Sequence, residues 1–110
     1  MNPKPGDIWR LLRGDAVVAE LVVEGPDMPW FVGRVQTRPA FEPLRPLFAE
    51  VRRLVDQPQF DEPAWSAAVE RTWQEARLVA ADGRDVSEWV LYLDGSQARW
   101  RWTDNNPPRA

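Results

Sequence analysis

Residues 84–103, RDVSEWVLYLDGSQARWRWT, decide the fold of this 110-residue chain. Two segments of alternating character flank Asp94-Gly95, and an Asp-Gly pair between such segments is the strongest short-range signal for a β-hairpin. The sequence therefore predicts strands over 84–93 and 96–103. If Asp94 and Gly95 form the turn, the register places Trp89 opposite Trp100 and Glu88 opposite Arg101.

The alternation in the second of these strands separates its tryptophans from its arginines. Side chains of a strand point to opposite faces in turn, so Trp100 and Trp102 are predicted to enter the core while Arg99 and Arg101 face solvent. A nucleic-acid platform needs aromatic rings and cations on one surface. This stretch therefore favours an amphipathic strand with solvated arginines over a nucleic-acid site.

The rest of the chain alternates between strand and helix patterns. Apolar residues recur at spacings of three and four between 44 and 55 and again between 65 and 76, which predicts two amphipathic helices. The first helix is expected to begin between 43 and 46, and the second at 61–63, where an acidic cap candidate precedes Pro63. Short β-rich runs predict the remaining strands at 8–13, 16–23, 30–37 and 77–80, with a Gly14-Asp15 turn and a loop over 24–29.

These elements predict one α+β domain over residues 1–104, followed by a disordered tail over 105–110. We expect an antiparallel sheet of about six strands in the order β-β-β-α-α-β-β-β, with two helices packed on one face. The other face of the sheet would then be uncovered. It would carry five side chains of the C-terminal strands: Glu88, Val90, Tyr92, Arg99 and Arg101.

Composition excludes several kinds of chemistry. The chain has no histidine and no cysteine, so it cannot build a Ser-His-Asp triad, a Cys-His pair, a zinc finger or an iron–sulfur site. Its carboxylates each have a local turn or cap role and form no catalytic pair. The sequence thus favours a non-catalytic protein over an enzyme, with no cofactor and no metal site.

Charge and hydropathy bear on partners and location. The formal net charge is −3, so a general attraction to nucleic acid or to an anionic membrane is not expected. No apolar run is long enough for a membrane helix, and no signal-peptide pattern is present. We therefore expect a cytoplasmic protein whose partner is another protein or a second copy of itself.

Trp30 is the main candidate for a binding residue. It follows the Gly- and Pro-rich segment 24–29 and precedes Phe31, so one of these adjacent aromatic side chains must point away from the core face. The alternative is that Trp30 packs over a sheet edge or a helix end. Five of the other tryptophans fall on predicted core faces: Trp65, Trp73, Trp89, Trp100 and Trp102. The predicted binding residues are Asp27, Trp30, Phe31, Arg34, Arg99 and Arg101.

Three functions are compatible with this pattern. The leading hypothesis is a small non-catalytic binding or accessory protein that engages a protein partner or its own copy through the sheet or the segment around Trp30. The first alternative is a small-ligand-binding protein, or a carboxylate-dependent enzyme, with a cavity lined by tryptophans. The third hypothesis is nucleic-acid binding through the arginine-bearing sheet face.

Overall fold

A computed structural model describes residues 4–27 and 29–103, and it confirms the predicted α+β architecture. The tail predicted over 105–110 lies outside the described residues. Six antiparallel strands form one sheet in the spatial order β4-β1-β2-β3-β6-β5. The elements are β1 (Ile8–Arg13), β2 (Ala16–Asp27), β3 (Trp30–Thr37), a 3₁₀ helix (Pro39–Leu44), α1 (Arg45–Val55), α2 (Glu62–Glu75), β4 (Arg77–Val79), β5 (Ser87–Asp94) and β6 (Gln97–Thr103).

The sheet curls strongly around one face. The rings of Trp9 in β1 and Trp102 in β6 lie 4.7 Å apart between centroids. Two strands separate β1 from β6, and at about 4.8 Å per strand a flat sheet would hold these side chains roughly 14 Å apart. The curl also brings the segment before β5 to β4, where Val86 N–H donates to the Leu78 carbonyl at 3.0 Å. The strand predicted over 84–93 accordingly begins at Ser87.

The concave side of the sheet, called the inner face below, holds the main core. Its largest fully buried side chains are the indoles of Trp9 and Trp100, which are 0% exposed. Alternate residues of every long strand join them: Leu11, Leu21, Val23, Phe31, Val35, Leu91 and Ala98. The inner face is therefore the apolar parity of the strands, as the sequence predicts.

Gly33 makes room for Trp100. A Cβ atom at Gly33 would overlap the carbonyl oxygen of Val22, and it would lie 3.1 Å from the Cη2 atom of the Trp100 ring. Glycine inside a strand often marks such a close approach. One of the two fully buried indoles of the core is thus seated where β3 carries no side chain.

The helices pack against β5. The 3₁₀ helix and the start of α1 send Phe41 and Phe48 into the main core, where Phe48 stacks on Trp89 with centroids 6.2 Å apart. Farther along, the two helices bury a second cluster on β5: Val51, Leu54, Ala68, Val69 and Val90. The expectation that Val90 lies on an uncovered face is therefore wrong, because the helix pair covers it.

The β5–β6 register differs from the predicted one by two residues, so each side chain stays on its predicted face of the sheet. Asp94 pairs with Gln97, so the two turn residues are Gly95 and Ser96, and Leu91 rather than Trp89 lies opposite Trp100. Gly95 has φ +61°. A glycine has no Cβ and takes this conformation without strain, which favours Gly95 over Asp94 at the first position of the two-residue turn. The Gly14-Asp15 turn, with Arg13 paired to Ala16, is as predicted.

The same register displacement removes a second predicted pair, next to a bulge in β5. Because Asp94 pairs with Gln97, the regular register makes Val90 the partner of Arg101, and a bulge then follows between Val90 and Ser87. Glu88 has φ +51° and is the one non-glycine residue of the described chain with a positive φ. The predicted Glu88–Arg101 cross-strand pair is therefore wrong.

The segment predicted as a loop over 24–29 is partly strand. β2 continues to Asp27, with a bulge between Val23 and Gly25, and Asp27 pairs with Trp30. The pairing of β1 with β2 ends at Val22, so the extension pairs only with β3. Pro26 is tolerated there because its missing N–H lies in a part of the strand with one neighbour. Because of this extension, Asp27 lies at the end of the β2–β3 hairpin, opposite Trp30.

We expect Gly33→Ala to destabilise the protein, by ~1–3 kcal/mol, because the added methyl group must displace the β2 backbone or Trp100. Gly25→Ala is the matched control, since nothing lies within 4 Å of a Cβ at Gly25. The control should change the free energy of unfolding by less than ~0.5 kcal/mol. Urea unfolding followed by tryptophan fluorescence measures both, and equal midpoints for the two variants would contradict the packing of Trp100 on Gly33.

Candidate functional site

The convex side of β3, β6 and β5, called the outer face below, carries Trp30 together with two arginines. In the β3–β6 register, Phe31 pairs with Trp100 and both side chains are buried on the inner face. Trp30, Arg99 and Arg101 have the opposite parity, so they project from the outer face. The alternation that buries Trp100 therefore also presents the arginines beside Trp30.

Trp30 is the centre of this arrangement. The guanidinium carbons of Arg99 and Arg101 lie 5.3 and 5.2 Å from the centroid of its ring, within the range of cation–π attraction. The ring of Tyr92 stacks on Trp30 with centroids 5.2 Å apart and an interplanar angle of 27°. Trp30 itself is half-buried. Its contacts hold two cationic groups in a fixed position at the surface.

Asp27 completes the group at the end of the β2–β3 hairpin. Its Oδ2 accepts a hydrogen bond from Nη2 of Arg99 at 2.8 Å. Both side chains are exposed, and ion pairs of this kind contribute at most about 1 kcal/mol. The pair therefore orients Arg99 over Trp30 more than it stabilises the fold. Asp27, Trp30, Tyr92, Arg99 and Arg101 are called the outer-face site below.

Tyr92 connects the outer-face site to α2. Its hydroxyl oxygen accepts a hydrogen bond from Nε1 of Trp65 at 3.1 Å. Burial raises the pKa of Tyr92 above its usual value of 10.0, although the Trp65 hydrogen bond and the charges of Arg101 and Arg52 act to lower that pKa. The phenol is therefore neutral at physiological pH and anchored by the helix.

Four of the six predicted binding residues come together: Asp27, Trp30, Arg99 and Arg101. The other two do not join them. Phe31 is buried on the inner face, where its ring stacks on Trp102 at 4.9 Å, and Arg34 lies near Glu24 with 3.9 Å between Nε and Oε2. A binding role for any of the six stays a prediction.

The sequence analysis places Tyr92 on the same face as Arg99 and Arg101 but does not predict it as a binding residue, and it does not predict Trp65 at this surface. Tyr92 has the same parity as Val90 on β5, and that parity places it beside the arginines, so the signal was present in the alternation. Trp65 falls on the apolar stripe of α2 and was expected in the core, but it is only half-buried. Trp73 and Trp102 are also half-buried, whereas Trp89 and Trp100 are buried as predicted.

The predicted separation of aromatic rings from arginines is correct for β6 but wrong for the sheet. Trp100 and Trp102 do pack on the inner face. However, Trp30 and Tyr92 reach over β6 from its two neighbouring strands, so the outer face carries rings and cations together. Alternation within one strand could not exclude aromatic side chains contributed by adjacent strands.

Metal sites and membrane-spanning helices are two further features that bear on function. No group of three or more Asp or Glu side chains within residues 4–27 and 29–103 is placed to hold a metal ion. Neither of the two α-helices described has the length and apolar character that crossing a bilayer demands. Comparison of the chain with protein-family models, with curated proteins and with solved structures gives no match.

The single tyrosine makes the environment of Tyr92 directly measurable. We expect the absorbance of tyrosinate to appear in the folded protein with a midpoint above pH 10, because burial raises the pKa of this phenol. The unfolded chain in denaturant should titrate near pH 10, as an exposed tyrosine does. A folded-state midpoint at or below that of the unfolded chain would contradict the packing of Tyr92 under Trp30 and Trp65.

The same shift has a consequence for stability. Above about pH 10 the unfolded chain has lost the Tyr92 proton while the folded chain still holds it, so the free energy of unfolding falls as the pH rises. Tyr92→Phe removes this contribution, and its stability should fall less steeply than that of the wild type in this range.

Proposed function

We propose that this chain is a small non-catalytic binding or accessory protein that engages a protein partner through the outer-face site, with the cytoplasm as its location. The observation that carries the proposal is the Trp30 ring with two arginine guanidinium groups within 5.3 Å of its centroid and Tyr92 stacked on it. Tryptophan, tyrosine and arginine are the residue types enriched at the energetic centres of protein interfaces.

The charges of the site favour a partner with acidic side chains. Arg101 has no carboxylate within 4.0 Å among residues 4–27 and 29–103, in contrast to Arg99, which is paired with Asp27. A guanidinium presents five donors in a planar fork that fits a carboxylate. An Asp or Glu of the partner would give Arg101 the ion pair that this chain does not supply.

Pre-organisation also supports binding through this surface. Ordering a long side chain at an interface costs roughly 0.5–1.5 kcal/mol. Arg99 is already held by Asp27, and both arginines already rest against Trp30. Binding would therefore lose less side-chain entropy here than at an arginine that makes no such contacts.

The proposal is tested by capture from the native host with immobilised wild type, two test variants and one control variant. Trp30→Ala should lose the partner, because both arginines lose their support, and Arg99→Ala should weaken its retention by ~10-fold or more. Arg34→Ala is the matched control: it removes an exposed arginine of the same face that lies outside the outer-face site. The captured proteins are quantified by mass spectrometry, with circular dichroism as a check that each variant folds.

Light scattering over a range of concentrations separates a distinct partner from a second copy of the chain. A dimer abolished by Trp30→Ala but kept by Arg34→Ala would identify the partner as the chain itself. A monomer at all concentrations, together with capture that is unchanged by Trp30→Ala, would contradict the proposal.

Single-stranded nucleic acid is the second candidate partner. It is favoured by the presence of Trp30 and Tyr92 on the same surface as Arg99 and Arg101, the combination that base stacking and phosphate contacts require. The net charge of −3 acts against it. Fluorescence anisotropy with a labelled single-stranded oligonucleotide tests it. Binding at ~20 mM salt that weakens steeply by ~200 mM would support this candidate, and no binding at low salt would remove it.

A further inference from the structure

A cleft of about 210 Å³ lies between α2 and the strands β5 and β6, beside the outer-face site. Val69 and Val90, both buried, form the apolar part of its lining, and Trp65 and Trp73 line it from α2. At about 30 Å³ for each water molecule in the liquid, this volume equals that of about seven waters. The cleft therefore suits a small molecule of the size of a single amino acid.

The two tryptophans of the cleft are fixed by hydrogen bonds to β5. Nε1 of Trp73 donates to the carbonyl oxygen of Trp89 at 2.7 Å, and Nε1 of Trp65 donates to the hydroxyl of Tyr92 at 3.1 Å. Each indole is thus anchored at its polar edge. The aromatic part of the lining is formed before any ligand binds, which lowers the entropic cost of binding.

Three charged side chains also line the cleft: Glu70, Glu88 and Arg101. None of the three forms an ion pair within 4.0 Å, or a side-chain hydrogen bond, with any residue of 4–27 and 29–103. Most arginines of the chain do have a carboxylate partner, as Arg99 has Asp27 and Arg77 has Asp85. As far as the described residues show, the cleft thus combines two carboxylates and one guanidinium that have no ion-pair partner around an apolar floor.

The backbone at Glu88 departs from regular geometry at this place. Glu88 has φ +51°, a conformation that residues other than glycine seldom adopt, and it lies in the bulge between Ser87 and Val90. Bulges redirect side chains and occur beside binding sites. Here the bulge lies directly before the Val90–Arg101 pair, and Glu88 has no cross-strand partner in the β5–β6 register.

We infer that the cleft binds a small zwitterion, namely a free amino acid with an apolar side chain. Its ammonium group lies beside Glu88 and Glu70 and against the tryptophan rings, where cation–π attraction adds to the carboxylate charges. Its carboxylate accepts hydrogen bonds from Arg101. Its side chain covers Val69 and Val90. This inference goes beyond the proposed function, because the cleft shares only Arg101 with the outer-face site.

Isothermal titration calorimetry with matched ligands tests the inference. The probes are L-leucine, 3-methylbutylamine, which lacks the carboxylate of leucine, and 4-methylpentanoate, which lacks its ammonium group. We expect L-leucine to bind at least ~10-fold more tightly than either analogue, since each analogue leaves one charged part of the cleft unpaired. Equal affinity for L-leucine and the amine would overturn the zwitterion in favour of a simple cation site.

Two variants, each of which replaces a charged side chain by a neutral one, show which charged group of the ligand each residue binds. Arg101→Gln should weaken L-leucine by ~10-fold or more and leave 3-methylbutylamine unchanged, whereas Glu88→Gln should weaken L-leucine and leave 4-methylpentanoate unchanged. Arg71→Gln is the control, because Arg71 is an exposed arginine of α2 outside the cleft lining. Both test residues have side chains outside the buried core, and circular dichroism verifies that each variant folds.

The outcome that overturns the inference is the absence of binding heat, and of any change in tryptophan fluorescence, with L-valine, L-leucine and L-phenylalanine alike at millimolar concentrations. Equal weakening of all three leucine-related probes by Arg101→Gln would overturn it as well. Neither result touches the proposed function, whose test depends on Trp30 and Arg99. Conversely, loss of that proposal leaves the calorimetric result unaffected.

Discussion

The burial of Trp100 is the constraint on which the rest of the structure depends. Its ring is fully buried, and it is seated where Gly33 has no side chain. The burial is not free of cost, because Nε1 of Trp100 has no hydrogen-bond partner among the described residues. An unpaired buried N–H costs about 1–3 kcal/mol. Burying 150–250 Å² of tryptophan at about 25 cal/mol per Å² contributes roughly 4–6 kcal/mol. The free energy gained by burial therefore exceeds the cost of the unpaired N–H.

Fixing Trp100 on the inner face fixes the parity of β6 and thereby the outer-face site. Arg99 and Arg101 must then project from the convex side, and β3 and β5 place Trp30 and Tyr92 beside them. The helix pair, which packs on β5 through Val90, brings Trp65 and Trp73 to the edge of the same surface. The burial of Trp100 in the core therefore determines on which side of the sheet both the outer-face site and the adjacent cleft lie.

The parts of this arrangement that follow local rules could be predicted from the sequence. Alternation in β6 and helical spacing in α1 and α2 identified the elements, their order and the inner parity. The details that depend on backbone geometry could not. Gly95 rather than Asp94 begins the turn, a bulge redirects Glu88, and β2 runs on through Pro26 to Asp27.

The sequence predicts most members of the outer-face site, but it does not predict that they come together. Four of its members are predicted binding residues, but they belong to two separate hypotheses, one about the segment around Trp30 and one about the arginines of β6. These two hypotheses meet only because β3 and β6 are adjacent in the sheet. The alternation of side chains within one strand does not show which strands lie beside it. The sequence predicts Trp65 in the core, because the apolar stripe of a helix does not show how much of that stripe the rest of the protein covers.

Solution NMR tests the central claim most directly, through nuclear Overhauser contacts of the tryptophan rings. The account predicts contacts from the Trp100 ring to Gly33 Hα and to the Trp9 ring, together with contacts from the Trp30 ring to the side chains of Arg101 and Tyr92. Contacts from the Trp100 ring to Trp30, with the Arg101 side chain among the inner-face residues, would show the opposite parity of β6 and contradict the account.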